Sequence, residues 1–255
     1  MDKKNIMNSQ QDKYAETAFW DQVSRQRIYA AFDEDEYKEV LDKVWGSQMQ
    51  DLKIADIGSA SGVSAALFAA CGAKVTGIEI SPDLVTQAQD LWKNYSDRIN
   101  FVVGDAENLD LPDSSQDAVF FGGVLHHIPL LDQVYSEAWR VLKPGGKLVA
   151  IEPNQADFLE LIEWGVADLR GKLTPNEYPM NPLAMRNELR HAGFIKPRFW
   201  TIRSDIPVLN QIPLIKLFFS RKKGFSIKKP LLSLLNAFRS PEKRGNFFVM
   251  VAQKS

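Results

Sequence analysis

The side chains that could do chemistry in this chain fall at the ends of successive apolar runs. Ile54-Ala55-Asp56-Ile57-Gly58-Ser59-Ala60-Ser61-Gly62 passes from apolar residues into a loop of Gly, Ser and Ala, and a small-residue segment, Val63 to Cys71, follows at once. Residues without bulky side chains let a backbone approach a ligand, and the first amides of a new helix point at whatever sits there. Such a turn suits a nucleotide-like cofactor at the carboxyl end of a first strand. Glu79 stands about where an acidic residue can take both ribose hydroxyls. Asp105-Ala106 and Gly122-Gly123 close two further runs, and His126, His127 and Glu152 are groups able to take a proton near neutral pH. A purely structural turn is the alternative at any one of these places; their repetition favours a pocket.

These residues must be positioned by alternating strands and helices. The apolar runs predict strands over Leu52–Ile57, Lys74–Ile80, Ile99–Gly104, Asp117–Phe121 and Lys147–Ile151. Ser81-Pro82-Asp83 reads as a capped helix start, and Leu131, Val134, Ala138, Val141 and Leu142 share one helical face ended by Pro144-Gly145-Gly146. Strands alternating with helices imply a parallel sheet with right-handed crossovers. Helical spacing also appears from Tyr14 to Trp45, over Phe158–Val166 and over Leu183–Gly193, and strands are expected at Phe199–Ile202 and Asn246–Ala252.

In residues 52–153 the chain resembles the class I, Rossmann-like S-adenosylmethionine-dependent methyltransferases of the ubiquinone and menaquinone biosynthesis type. The matching residues are Asp56 to Gly62, Glu79 with Ser81-Pro82, Gly104-Asp105-Ala106-Glu107 with Leu111-Pro112, Val124-Leu125-His126-His127, and Leu142-Lys143-Pro144-Gly145-Gly146. The resemblance implies a doubly wound seven-stranded α/β sheet, mostly parallel, with an antiparallel last strand beside the fifth. It implies S-adenosyl-L-methionine as cofactor, held by Asp56, Gly58, Ser59, Ala60, Gly62, Glu79, Ile80, Asp105, Ala106 and Gly122. Glu79 would bind the ribose, and Asp105 with the Ala106 amide the adenine edge. Ala60 departs from the family pattern, which usually has a glycine there.

On this resemblance His127 is the first candidate for a base near the transferred methyl group, or else a structural histidine bonding loop backbone, and Glu152 is the second candidate base, with Asn154 available to orient an acceptor. Leading helices of the family lie across the cofactor mouth, so Tyr14, Phe19, Trp20 or Tyr29 would form a lid or else pack on the sheet. Trp164 and Tyr178 would wall an acceptor pocket or be core, and His191 would cap a helix end. The division expected is a helical lid over residues 1–50, a cofactor-binding core over 51–153 and acceptor elements over 154–255.

The 255 residues are 45% apolar and 25% charged with a formal charge of −1, ordinary values for a soluble globular protein with no overall pull toward nucleic acid. Cys71 is the only cysteine, which excludes an intramolecular disulfide, and it reads as a small buried residue. No His, Cys and carboxylate grouping has metal-ligand spacing in the sequence, so no metal is expected. No Gly-x-Ser-x-Gly elbow suggests a hydrolase. The polar amino terminus predicts no signal peptide and a cytoplasmic location.

One segment stands apart, the insert at 203–245. Between Arg203 and Arg244 ten basic residues face two acidic ones, a net +8, so the remainder carries −9. Leu and Phe residues flank the basic cluster. Peripheral contact with an anionic membrane, a lid over an acidic acceptor and a flap packed on the sheet are the competing readings.

The function expected is methyl transfer to a small or lipid-linked acceptor, through oxygen first. Alternatives are a non-catalytic binding or membrane-associated relative and a nicotinamide-dependent oxidoreductase. Glycines four apart at Gly58 and Gly62 speak against the last. Oligomeric state stays open.

Overall fold

The computed structural model describes residues 13, 15–22, 34–46, 48–169, 173–174, 177–202 and 245–255. Seven strands form one sheet: β1 (Lys53–Ile57), β2 (Lys74–Glu79), β3 (Ile99–Val103), β4 (Gln116–Gly122), β5 (Leu142–Pro153), β6 (Phe194–Ile202) and β7 (Phe247–Lys254). Their order across the sheet is β3-β2-β1-β4-β5-β7-β6. The first five run parallel, while β7 lies antiparallel between β5 and β6. This is the Rossmann-like arrangement expected, last strand included.

Residues 15–22 are helical, and α1 (Glu34–Val44) precedes the sheet. The remaining helices are α2 (Val63–Ala70), α3 (Pro82–Leu91), α4 (Leu131–Val141), α5 (Phe158–Leu169) and α6 (Pro182–His191). Side chains alternate across a strand, so each strand feeds two cores. Ile54, Phe120 and Val249 pack with Val40, Leu41, Phe68 and Val85 from α1, α2 and α3. Their neighbours Ala55, Phe121 and Met250 pack on the other face with Val134, Ala138 and Leu189 from α4 and α6. A sheet covered on both faces needs near-continuous apolar strands. Phe120 and Phe121 are accordingly both fully buried.

Local chemistry sets the element ends. The Ser81 hydroxyl accepts the Leu84 amide at 3.1 Å, and Pro82 opens α3. Asn181 caps α6 in the same way, through the Leu183 and Ala184 amides.

Three boundaries and one burial depart most from the sequence reading. Chain 142–146 is strand and not helix end: Leu142 pairs with Gln116 and Lys147 with Ala118, and the intervening residues bulge where Gly145 takes φ +78°. β6 begins at Phe194, five residues early, because it carries a similar irregularity between Ile195 and Arg198. β7 runs on to Lys254, whose ammonium donates to the Leu142 carbonyl at 2.7 Å. Cys71 is exposed and not buried, since it sits past the last turn of α2. Tyr14, Tyr29 and residues 203–244 lie outside the described residues, as do the readings that concern them.

Candidate active site

A cleft opens beyond the carboxyl ends of β1, β2 and β4, where ligands bind in open sheets of this kind. Its floor is the turn after β1. The Gly58 amide donates to the Ile78 carbonyl at 2.8 Å and the Gly62 amide to the Ser59 carbonyl at 2.8 Å, which folds Gly58–Gly62 tightly against β2. Gly58 holds φ +66°, and a Cβ there would overlap the side chain of Val124. Gly62, at φ +80°, faces Phe101 and Trp92, 2.5 and 2.8 Å from where its Cβ would be. Gly62 is thus a packing glycine and does not line the cleft, contrary to its expected place at the cofactor. Ala60 is left-handed too, at φ +46°, a conformation glycine takes without strain.

Gly58, Ser59, Ala60, Glu79, Ile80, Asp105, Ala106 and Gly122 all line the cleft, together with His127. Glu79 is buried, and its two oxygens accept the Ala60 and Ser81 amides, each at 3.0 Å. Burial raises its pKa against the opposing pull of those amides. Each carboxylate oxygen keeps lone-pair capacity beyond its amide, enough to accept hydroxyls from the cleft. The Ser59 hydroxyl is buried without a partner among the described residues, a group that a polar ligand would satisfy.

Asp56 lies behind the turn rather than in the cleft. It is 1% exposed, accepts the Ser64 hydroxyl at 2.7 Å, and is pushed up to about 7 by burial. Its placement joins the end of β1 to the start of α2.

The two candidate bases differ. His127 faces the cleft; its Nδ1 is 3.1 Å from the Thr174 hydroxyl and 3.7 Å from Glu16 Oε2. Burial, then the neighbouring His126, lowers its pKa well below the ordinary value, so it is neutral at pH 7 and a weaker base than an exposed imidazole. Glu152 is fully buried outside the cleft. One oxygen accepts the Val124 and Leu125 amides at 3.2 and 2.9 Å, and the other is 2.7 Å from His126 Nδ1. Burial pushes Glu152 up to about 8 and His126 down to about 3, so the pair is held without net charge. This geometry makes Glu152 a positioning residue for the 124–127 turn.

Asn154 is likewise committed to backbone, donating to the Gly245 carbonyl at 2.7 Å and accepting the Ala156 amide at 3.0 Å. Trp164 meets the His126 ring edge-on at 5.9 Å, and the Tyr178 amide donates to the His126 carbonyl. Both stand behind the histidines, and neither lines the cleft. His191 ends α6 in solvent.

Sequence reasoning missed Lys13, Glu16 and Tyr37, all at the cleft. Lys13 binds Asp105 at 2.7 Å and Glu107 at 2.6 Å; burial would lower its pKa, but the two carboxylates overcome this and raise it. Trp20, one of the four lid candidates, lines the cleft and packs edge-on against His127, with its indole N–H donating to Glu16 at 3.2 Å. Lys13, Glu16 and Trp20 are three and four residues apart, one face of a helix, and that spacing was the available signal. The fold also gathers His126, His127 and Glu177, with ligand atoms within 4.8 Å of one another. No sequence spacing announces that group, because Glu177 comes from the loop before α6.

Residues 55–150 match a family model described as a methyltransferase domain. Over residues 55–150 the chain thus has the pattern of a methyltransferase domain, on the Rossmann-like sheet that the sequence resemblance implied. Similar curated proteins include a demethylmenaquinone methyltransferase of Symbiobacterium thermophilum, 29% identical over 149 residues that make up 48% of this chain and 59% of that protein. A sterol 4-C-methyltransferase of Caenorhabditis elegans is 34% identical over 105 residues, 40% of this chain and 31% of that protein. The chain thus spans less than two thirds of these relatives. Among solved structures, a methyltransferase of Thermotoga maritima, described as a possible histamine N-methyltransferase, superposes with a TM-score of 0.61 at 19% identity, covering 94% of this chain and 95% of that one. Phosphoethanolamine N-methyltransferase 2 of Haemonchus contortus, solved with S-adenosyl-L-methionine, gives 0.61 at 19% identity over 94% of this chain and 57% of its own. At such identities these two likenesses concern the fold of the methyltransferase domain.

Proposed function

We propose that this protein transfers a methyl group from S-adenosyl-L-methionine to a small or lipid-linked acceptor, with an acceptor oxygen as the first reading. The observation that carries this is the convergence in one cleft of the Gly58–Ala60 turn, Glu79, the Asp105-Ala106 pair and a neutral His127. The cleft fits the cofactor. Glu79 has lone pairs for ribose hydroxyls, the unpartnered Ser59 hydroxyl and the close backbone at Gly58 suit the amino-acid end, and Asp105 with the Ala106 amide suits an adenine edge. When bound, the cofactor supplies an electrophilic methyl group, so the protein's task is chiefly to orient and exclude water.

His127 would take the acceptor's proton, and Trp20 and Glu16 would close the cleft behind it. Names of relatives such as a quinone or sterol C-methyltransferase support an apolar acceptor, and they make carbon the second candidate atom. No helix among the described residues is long and apolar enough to cross a membrane. The basic and apolar insert at 203–245 is the segment we assign to a peripheral membrane contact, on its sequence alone.

Calorimetric titration with S-adenosyl-L-methionine, and in parallel with NADH, tests the reading. Micromolar binding of the first alone is expected, weakened at least about tenfold, or 1.4 kcal/mol, in Glu79→Ala. Binding of neither would remove the enzymatic reading. Product mass and NMR from an acceptor screen would then separate oxygen from carbon.

A further inference from the structure

We propose that His126, His127 and Glu177 form a binding site for one divalent first-row transition metal ion of the Zn2+ class. A ring nitrogen of each histidine and a carboxylate oxygen of Glu177 all lie within 4.8 Å of one another. Two imidazoles and one carboxylate form a ligand set that suits such ions and leaves coordination positions for oxygen donors from outside the chain. With metal–ligand bonds of about 2.0–2.2 Å, ligands around a tetrahedral ion stand roughly 3.4 Å apart. Side-chain movements on the order of 1 Å would close the group.

The surroundings already orient these ligands. Glu152 lies 2.7 Å from His126 Nδ1, the outer carboxylate that commonly fixes a ligating histidine. Thr174 joins the other two, its hydroxyl 3.1 Å from His127 Nδ1 and its amide donating to Glu177 at 2.9 Å. The imidazole rings stand 4.1 Å apart between centroids, backed by Trp164 on one side and Trp20 on the other. The Glu152–His126 pair and the Thr174–Glu177 bond each have a structural role; what points to an ion is that together they bring a second carboxyl, Glu177, within 4.8 Å of two imidazoles.

Because His127 lines the cleft, an ion here would meet an acceptor oxygen; a His127 that ligates the ion no longer takes the acceptor's proton, and the ion would take over that task by lowering the pKa of the hydroxyl it binds. That role rests on the methyltransferase reading; metal binding itself does not.

The test is calorimetry of the untagged full chain with ZnCl2 and MgCl2, joined to the visible absorption bands of added Co2+. One Zn2+ per chain at micromolar affinity or tighter is expected, with Mg2+ at least a hundredfold weaker and Co2+ bands of a nitrogen and oxygen site. Glu177→Gln keeps an acceptor for the Thr174 amide, so the loop should stand while Zn2+ affinity falls at least tenfold. His191→Ala and Cys71→Ser, the other soft or imidazole donors, should leave affinity unchanged. Absence of Zn2+ binding, or binding that survives Glu177→Gln and His127→Gln in folded protein, would overturn the site. Cofactor titration of the same samples separates the two readings: S-adenosyl-L-methionine binding without Zn2+ sinks the metal site alone, and Zn2+ binding without the cofactor sinks the methyltransferase reading alone.

Discussion

At the level of single residues, Ala60 in the cleft holds backbone strain and Glu152 behind it holds a buried proton, and both can be measured. Ala60 at φ +46° occupies a region that L residues with a Cβ adopt at a cost. Ala60→Gly should therefore raise stability by about 0.5–1 kcal/mol, and Ala60→Val should lower it by more than that. Urea denaturation of the three proteins checks the order. Glu152 gives a pH signature. Its folded pKa of about 8 lies above its ordinary 4.5, so the stability its neutral form contributes is whole below pH 4.5 and lost as pH rises to about 8. His126, lowered to about 3, works in the opposite sense but only below 6.5. Between pH 6.5 and 8 native stability should fall, by roughly 1–2 kcal/mol from Glu152. Glu152→Gln, which retains an acceptor and a donor, should flatten that slope; equal slopes in the two proteins would show the carboxyl is already ionised.

Among the elements, the turn between β1 and α2 governs the cleft, and its glycines have separable jobs. Gly58→Ala should weaken cofactor binding at least about tenfold and cost about 1–3 kcal/mol, because the new methyl meets Val124 and φ is +66°. Gly165→Ala on exposed α5 meets nothing within 4 Å and should stabilise by about 0.5–1 kcal/mol. Calorimetric titration and thermal melts of both variants make the comparison. Chemistry at strand ends was readable because apolar runs, caps and glycines sit within a few residues of the groups they position. Thus the places of Glu79, Asp105 and His127 at the cleft were legible in the sequence, as was the cap at Ser81. What was not readable depends on distant partners. Asp56 and Gly62 face inward because of Ser64 and Phe101, and Glu152 is consumed by amides from a different strand end. Glu177 reaches the histidines only because Thr174 bridges a gap of about fifty residues. The bulge at 143–146 likewise reflects pairing across the sheet and not local propensity.

For the whole molecule, the antiparallel end of the sheet decides cohesion. β7 gives Phe248, Val249 and Met250 to the interior, all fully buried, and contributes to both cores. A protein lacking residues 245–255 should lose its cooperative melt and bind no cofactor, since β5 and β6 would each expose an open edge. Circular dichroism melts beside the intact chain measure this. Retained cooperativity would mean that the parallel half stands alone.

The place of β7 also bears on synthesis at the ribosome. β5 and β6 leave the exit tunnel long before the strand that must slide between them, so the sheet cannot close until residue 254 has emerged. Meanwhile two unpaired apolar edges wait, the kind of surface that draws chaperones and seeds aggregation. A translational pause or a frameshift anywhere after β6 would then do more harm to yield than its distance from the cleft suggests.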